Sequence, residues 1–133
     1  MCQQTIAPFV IFSLVLKKDC KMSLDIELYY TKDPQEDNIV YEANITHNLN
    51  KMATKAGLYY PLWRATDVLE VKCAGDLIPL LKAGIKVLES DRAYFEEFNP
   101  ENGWGDYDGL LHFAQSYLDA CKNHPYASVY ISR

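Results

Sequence analysis

The sequence predicts an α+β domain: a small antiparallel sheet of about three strands, the last of them C-terminal, covered on one face by three to four helices. Three observations lead there. Ser23 to Tyr30, "SLDIELYY", alternates Leu24, Ile26 and Leu28 with Asp25, Glu27 and Tyr29, the pattern of a half-buried strand. Asp106 to Lys122 repeats Leu110, Phe113, Ala114, Tyr117, Leu118 and Cys121 at helical spacing, so one face is apolar. Strand patterns stand at both ends of the body with helical patterns between them, an order that suits a two-layer domain.

Each element has its own signal. After the first strand, "TKDPQEDN" is a polar loop, and "IVYEANIT" from Ile39 to Thr46 reads as a second strand, a hairpin partner of the first. "THNLNKMATKAG" turns helical: Thr46 or Asn48 caps it, Leu49, Met52, Ala53 and Ala56 form its apolar face, and Gly57 stops it. "LYYPLWRATDVLEV" reads equally as a short helix or an irregular connector. Asp76 to Leu88 is a helix with Asp76 as cap, Pro79 in its first turn, and a stripe of Leu77, Leu80, Leu81, Gly84 and Leu88. Ser90-Asp91 restarts a short helix through Phe98. "NHP" ends the long helix, and "ASVYIS" from Ala127 to Ser132 is the final strand, pairing with the first or the second.

The chain has 133 residues, 49% hydrophobic and 13% aromatic, which supports one core without metal or disulfide staples. The net charge of -5 argues against a nucleic-acid polymer as partner, since phosphate backbones need clustered Lys and Arg. Cys2, Cys20, Cys73 and Cys121 show no C-x-x-C pair, and with three His they show no ligand spacing. The expectation is reduced thiols, no metal and no cofactor. Ile6 to Leu16 is an apolar run of eleven residues, short of the roughly 20 that span a bilayer. Its flanks lack the basic start and small-residue cleavage site of a signal peptide. A strand is another reading. A further one is an over-extended start: Lys17-Lys18-Asp19 can be encoded with a bacterial ribosome-binding sequence ahead of the Met22 codon. The expected division is an extension over residues 1–21, outside the native protein if translation starts at Met22, and a single α+β domain over 22–133, cytoplasmic and not membrane-bound.

Two stretches could carry chemistry. In "NITHN", Asn44, Thr46 and Asn48 share a face opposite Ile45 while the chain is extended, at a strand-to-helix junction where helix N–H groups lie near. Thr46 and Asn48 are as well explained by capping. His47 adds a group that titrates near neutrality. The second stretch is "NPENGWGDYDG", residues 99–109, whose glycines and proline hold a set backbone shape around Trp104. The commoner role for such an indole is to fold over the helix start and close the core; stacking on a ligand is the alternative. Tyr107 completes the candidate ligand set of Asn44, Thr46, His47, Asn48, Trp104 and Tyr107. Asp106 and Asp108 suit the positive end of the long helix and are read as structural. Trp63-Arg64 could form a stacked or anion-facing pair. No nucleophile, carboxylate pair, phosphate loop or dinucleotide fingerprint appears, so no residue is assigned a catalytic role.

The body resembles a family of small proteins of bacteria and their phages through "MSLDIELYY", "NITHNLNKMATKAGLYYPLW", "AGDLIPLLKAGIKVL" and "NPENGWGDYDGLLHFAQSYLDACKNHP". The resemblance implies a shared fold and a bacterial or phage setting, and names no reaction. The leading expectation is a non-enzymatic binding protein whose 44–48 junction and Trp104 loop wall one pocket for a small anionic or nucleotide-like ligand. The rivals are a module that binds a host protein through surplus tyrosines, with a homodimer open to its sheet edges, and, last, a small hydrolase using His47 as base.

Overall fold

The computed structural model of the protein describes residues 23–30 and 38–133. The apolar N-terminal run, the expected division at Met22 and the loop after the first strand lie outside the described residues.

Strand β1 (Ser23–Tyr30) is the centre of a three-stranded antiparallel sheet, flanked by β2 (Asn38–Thr46) and β3 (Ser128–Ser132). The final strand therefore pairs with the first. Period-two alternation sets the layers. Leu24, Ile26 and Leu28 are fully buried beneath the helices, while Asp25 and Glu27 face outward beside Asn44 and Glu42 of β2 and Ser132 and Tyr130 of β3. A register shift between Leu28 and Tyr29 skips Val40, a bulge close to the Tyr30–Asn38 end of the ladder, where the chain passes from one strand to the next.

A 3-10 turn, His47–Leu49, leads from β2 into α1 (Asn50–Ala56), and α2 (Tyr59–Trp63) follows. Thr46 caps the 3-10 turn, its Oγ1 accepting from the Asn48 N–H at 3.2 Å; Asn48 caps nothing. Gly57 ends α1 in the left-handed region. The stretch "YYPLW" resolves to a helix because Pro61 falls in its first turn, where a missing N–H is harmless, and Pro61, Leu62 and Trp63 are all buried.

Helix α3 (Ile78–Ser90) begins with a 3-10 turn at Ala74–Leu77. Asp76 is not its cap. It lies inside that turn and reaches back, its Oδ2 accepting from the Cys73 N–H at 3.5 Å. The buried face runs through Leu77, Leu81, Gly84, Ile85 and Leu88 at helical spacing, and Leu80 lies at its margin, 38% exposed. Gly84 sits against Leu58 in the link between α1 and α2, where a Cβ would collide with the Leu58 side chain; the link and α3 approach closely only because the side chain is missing.

Helix α4 (Arg92–Glu96) is capped by Asp91, and α5 (Tyr107–Asn123) by Asp106, whose Oδ1 accepts from the Gly109 N–H at 2.7 Å. Counting α2, five helices rather than three to four cover the inner face. The α5 stripe buries Leu110, Phe113, Ala114, Tyr117, Leu118 and Cys121. Cys73 and Cys121 are free thiols, and burial pushes the Cys121 thiol up to about 12. No helix among the described residues is long and apolar enough to cross a membrane.

Candidate functional site

The register Asp25↔Asn44 and Ser23↔Thr46 puts four polar side chains on the outer face at one end of the β1–β2 ladder. Asn44 Nδ2 donates to Ser23 Oγ at 2.9 Å and to the Asp25 carboxylate. Both amide protons are spent there, so the Asn44 carbonyl is the end left to meet a ligand.

The 99–106 loop comes to this place through Gly105. Its φ of 98° is one that side chains rarely adopt, and a Cβ there would lie 2.8 Å from Thr46 Cγ2 and 3.0 Å from Leu49 Cδ1. The loop backbone therefore lies directly on the strand-to-helix junction. Three side chains stitch it: Asn102 Oδ1 accepts from the Trp104 N–H at 2.9 Å, Asn99 Oδ1 from the Tyr107 N–H at 2.9 Å, and Asp106 Oδ1 from the Gly109 N–H.

The result is a cavity of about 410 Å³ walled by Ser23, Asn44, Thr46, Asn48, Asn102 and Trp104. Four of the six sequence candidates meet here. Asn102 and Ser23 were missed. Asn102 had a signal, as an amide two residues before the tryptophan; Ser23 had none, because only the strand register brings it in. Trp104 does not close the core: it is 68% exposed, held out by the stitched loop.

Two candidates go elsewhere. Tyr107 is in the first turn of α5 with its ring buried, and its hydroxyl donates to the Leu88 carbonyl at 2.7 Å. It ties α5 to α3 and does not line the cavity. His47 turns toward α2, where its Nδ1 accepts from the Trp63 indole N–H at 2.9 Å. That bond fixes the tautomer with the proton on Nε2 and occupies the nitrogen a general base would use. Trp63 is itself buried, and Arg64 is bound to Asp67 at 3.0 Å and to the Tyr59 hydroxyl, so the two form no anion-facing pair.

The electrostatics are those of neutral dipoles. Among the described residues no charged side chain lines the cavity. The N-terminus of α5 is met by its own Asp106, and Asp108 is paired to Arg92 at 2.8 Å. The helix after the 44–48 junction is only seven residues long. Nothing in the lining would draw a phosphate, whereas the amides of Asn44, Asn48 and Asn102 offer donors and acceptors together. Among the described residues no group of His, Cys, Asp and Glu could hold a metal ion.

No protein-family model matches the chain. No curated protein and no solved structure matches it either.

Proposed function

We propose that the protein is a binding module whose Trp104 cavity takes a neutral, planar, hydrogen-bonding ring of the nucleoside class, in a bacterial or phage cytoplasm. The observation that carries this is a 68% exposed indole, its backbone N–H bound by Asn102, beside three amide side chains. Leaving an indole in water forgoes the burial that usually accounts for tryptophan, and stitching its loop in place adds order without adding core. A base stacked on it would recover about 1–3 kcal/mol, and the amides would meet the mixed donor and acceptor edge. A volume of about 410 Å³ falls in the range of small-ligand sites. The neutral lining supports a nucleoside over a nucleotide, because a phosphate would be desolvated there with no cation among the described residues to receive it.

The test is a titration of the protein with the four ribonucleosides and their 5′-monophosphates, read by tryptophan fluorescence. Trp63 is buried and serves as an internal reference, and Trp104→Phe identifies the responding indole. The expected result is saturable quenching by at least one nucleoside, binding no weaker than its monophosphate and lost in Trp104→Ala. Quenching by none of the eight compounds would refute the reading.

A further inference from the structure

The Trp104 cavity is one end of a longer furrow. It shares Asn44 and Thr46 with a groove of about 490 Å³ that runs on past Gly109, His112 and Phe113. That groove shares Tyr41 and Ser116 with a third, of about 330 Å³, that reaches Val40, Asp119 and Asn123. The helix residues concerned, Gly109, His112, Ser116, Asp119 and Asn123, recur at three- and four-residue spacing and so form one stripe of α5. The strand residues, Val40 to Thr46, include both inward- and outward-facing positions of β2. A groove touched by both faces of a strand runs along its edge.

Among the described residues no strand pairs with that edge: β2 is an outer strand of the sheet. From Val40 to Thr46 it extends about 20 Å. From Gly109 to Asn123 the helix rises about 21 Å. Strand edge and helix stripe are thus matched in length, and the space between them suits an extended segment of about six residues.

We infer that the β2 edge and the α5 stripe form a docking groove for an extended, basic–apolar alternating peptide of another protein, which adds to the sheet as a fourth strand. Charge names the occupant. Glu27 and Glu42 stand directly opposite each other on the outer face, and neither has a cationic partner among the described residues. Like charges so placed destabilise a strand pair. A strand added to β2 sets its outward side chains beside Glu42, where Lys or Arg would relieve that repulsion. Its alternate side chains point into the groove, over Tyr41, Ala43 and Phe113. A second copy of the chain is the poorer fit, since it brings its own Glu42 and a net charge of -5 to the same edge. Backbone pairing would supply affinity and the alternation specificity.

The groove meets the ligand cavity at Asn44 and Thr46 but is not lined by Trp104. The probe is a labelled Lys-Val-Lys-Val-Lys-Val peptide with blocked ends, titrated into the full chain and read by anisotropy and by amide shifts. Its controls are the Glu-Val counterpart and a version N-methylated at alternate residues. The basic peptide should bind, shift β2 and the α5 stripe, and lose about tenfold or more when N-methylated, because its ladder donors are gone. Glu42→Lys, an exposed change, should weaken the basic peptide about fivefold and favour the acidic one. Trp104→Ala should leave peptide binding unchanged, so cavity and groove can fail separately. Equal binding of both peptides, binding of neither, full retention by the N-methylated peptide, a dimer paired through β2, or residues 1–22 already seated on that edge would each overturn it.

Discussion

Gly105 joins the loop that carries Trp104 to the strand-to-helix junction, and Gly105→Ala should break that joint at a cost that can be worked out. Two terms oppose the substitution. Holding a residue with a Cβ at a φ of 98° costs about 1–2 kcal/mol. The new methyl would sit 2.8 Å from Thr46 Cγ2 and 3.0 Å from two atoms of buried Leu49, well inside the ordinary 3.5–4.0 Å carbon contact. Relieving that crowding costs about 1–3 kcal/mol. The stiffer denatured chain returns about 0.4–1 kcal/mol. The net loss is about 2–4 kcal/mol, a large part of the roughly 5–15 kcal/mol of a domain this size. Gly103 is the control: its φ is 78°, and a Cβ there would meet nothing within 4 Å. Gly103→Ala carries the backbone term alone and should cost about 1 kcal/mol or less. In urea at 25 °C, Gly105→Ala should lower the midpoint by about 1–2 M and Gly103→Ala by well under 1 M, with similar slopes. If the two variants lose the same stability, the loop is not seated on Thr46 and Leu49, and the cavity loses one of its walls.

Three further outcomes follow from contacts already described. Trp104→Ala should change stability by no more than about 0.5 kcal/mol, because an exposed side chain contributes little to the core; a loss of several kcal/mol in thermal melts would mean that the indole is buried after all. Tyr107→Phe should cost about 1–3 kcal/mol, since it leaves the buried Leu88 carbonyl without its donor, and nucleoside binding measured on the folded variant should persist. Stability should also fall in alkali. Burial holds Cys121 protonated up to about 12 and, together with Cys121 and Tyr41 nearby, raises Tyr117 well above its ordinary value. In the unfolded chain the thiol ionises near 9, so its contribution is complete below that pH and is lost as pH rises from about 9 toward 12. Cys121→Ala should flatten that slope in denaturation curves taken across the range; an unchanged slope would count against a buried thiol.

What the sequence reveals of this molecule follows from periodicity. Leu24, Ile26 and Leu28 alternate strictly, and α5 repeats its apolar residues over more than three turns, so both elements and their buried faces are legible. Leu77, Leu81, Gly84 and Leu88 of the α3 stripe are buried as the spacing predicts, while Leu80, also on helical spacing, lies at the stripe's margin and is exposed, because spacing does not give the width of the surface that covers the helix. The convergence of "NITHN" with the Trp104 loop was anticipated from two helix starts, but its cause, the missing Cβ of Gly105 against Thr46 and Leu49, is a through-space contact invisible to spacing. Tyr107 illustrates the same limit. It is three residues from Trp104, yet Gly105 and the Asp106 cap between them turn the chain, so one ring goes inward to Leu88 and the other stays in solvent. His47 gives no sign in the sequence of its bond to Trp63, sixteen residues on, because nothing in its neighbourhood along the chain announces that partner. The furrow beside β2 was out of reach for a different reason: it exists only once the strand order makes β2 an edge.

The strand order also bears on time. The two ladders of β1 close over very different stretches of chain: β2 follows after a short loop, while Asp25 finds Ser132 only after every helix has been made. Local pairing and helix formation can run on fast timescales, but the last ladder waits for a long loop to close. Until then the hairpin and helices stand with one flank of β1 bare. A nascent chain stalled before Ser128 would carry Leu24, Ile26 and Leu28 in a strand with an unfilled side, and the emergence of five residues, Ser128–Ser132, would mark the moment at which that flank of β1 stops being a template for stray strands.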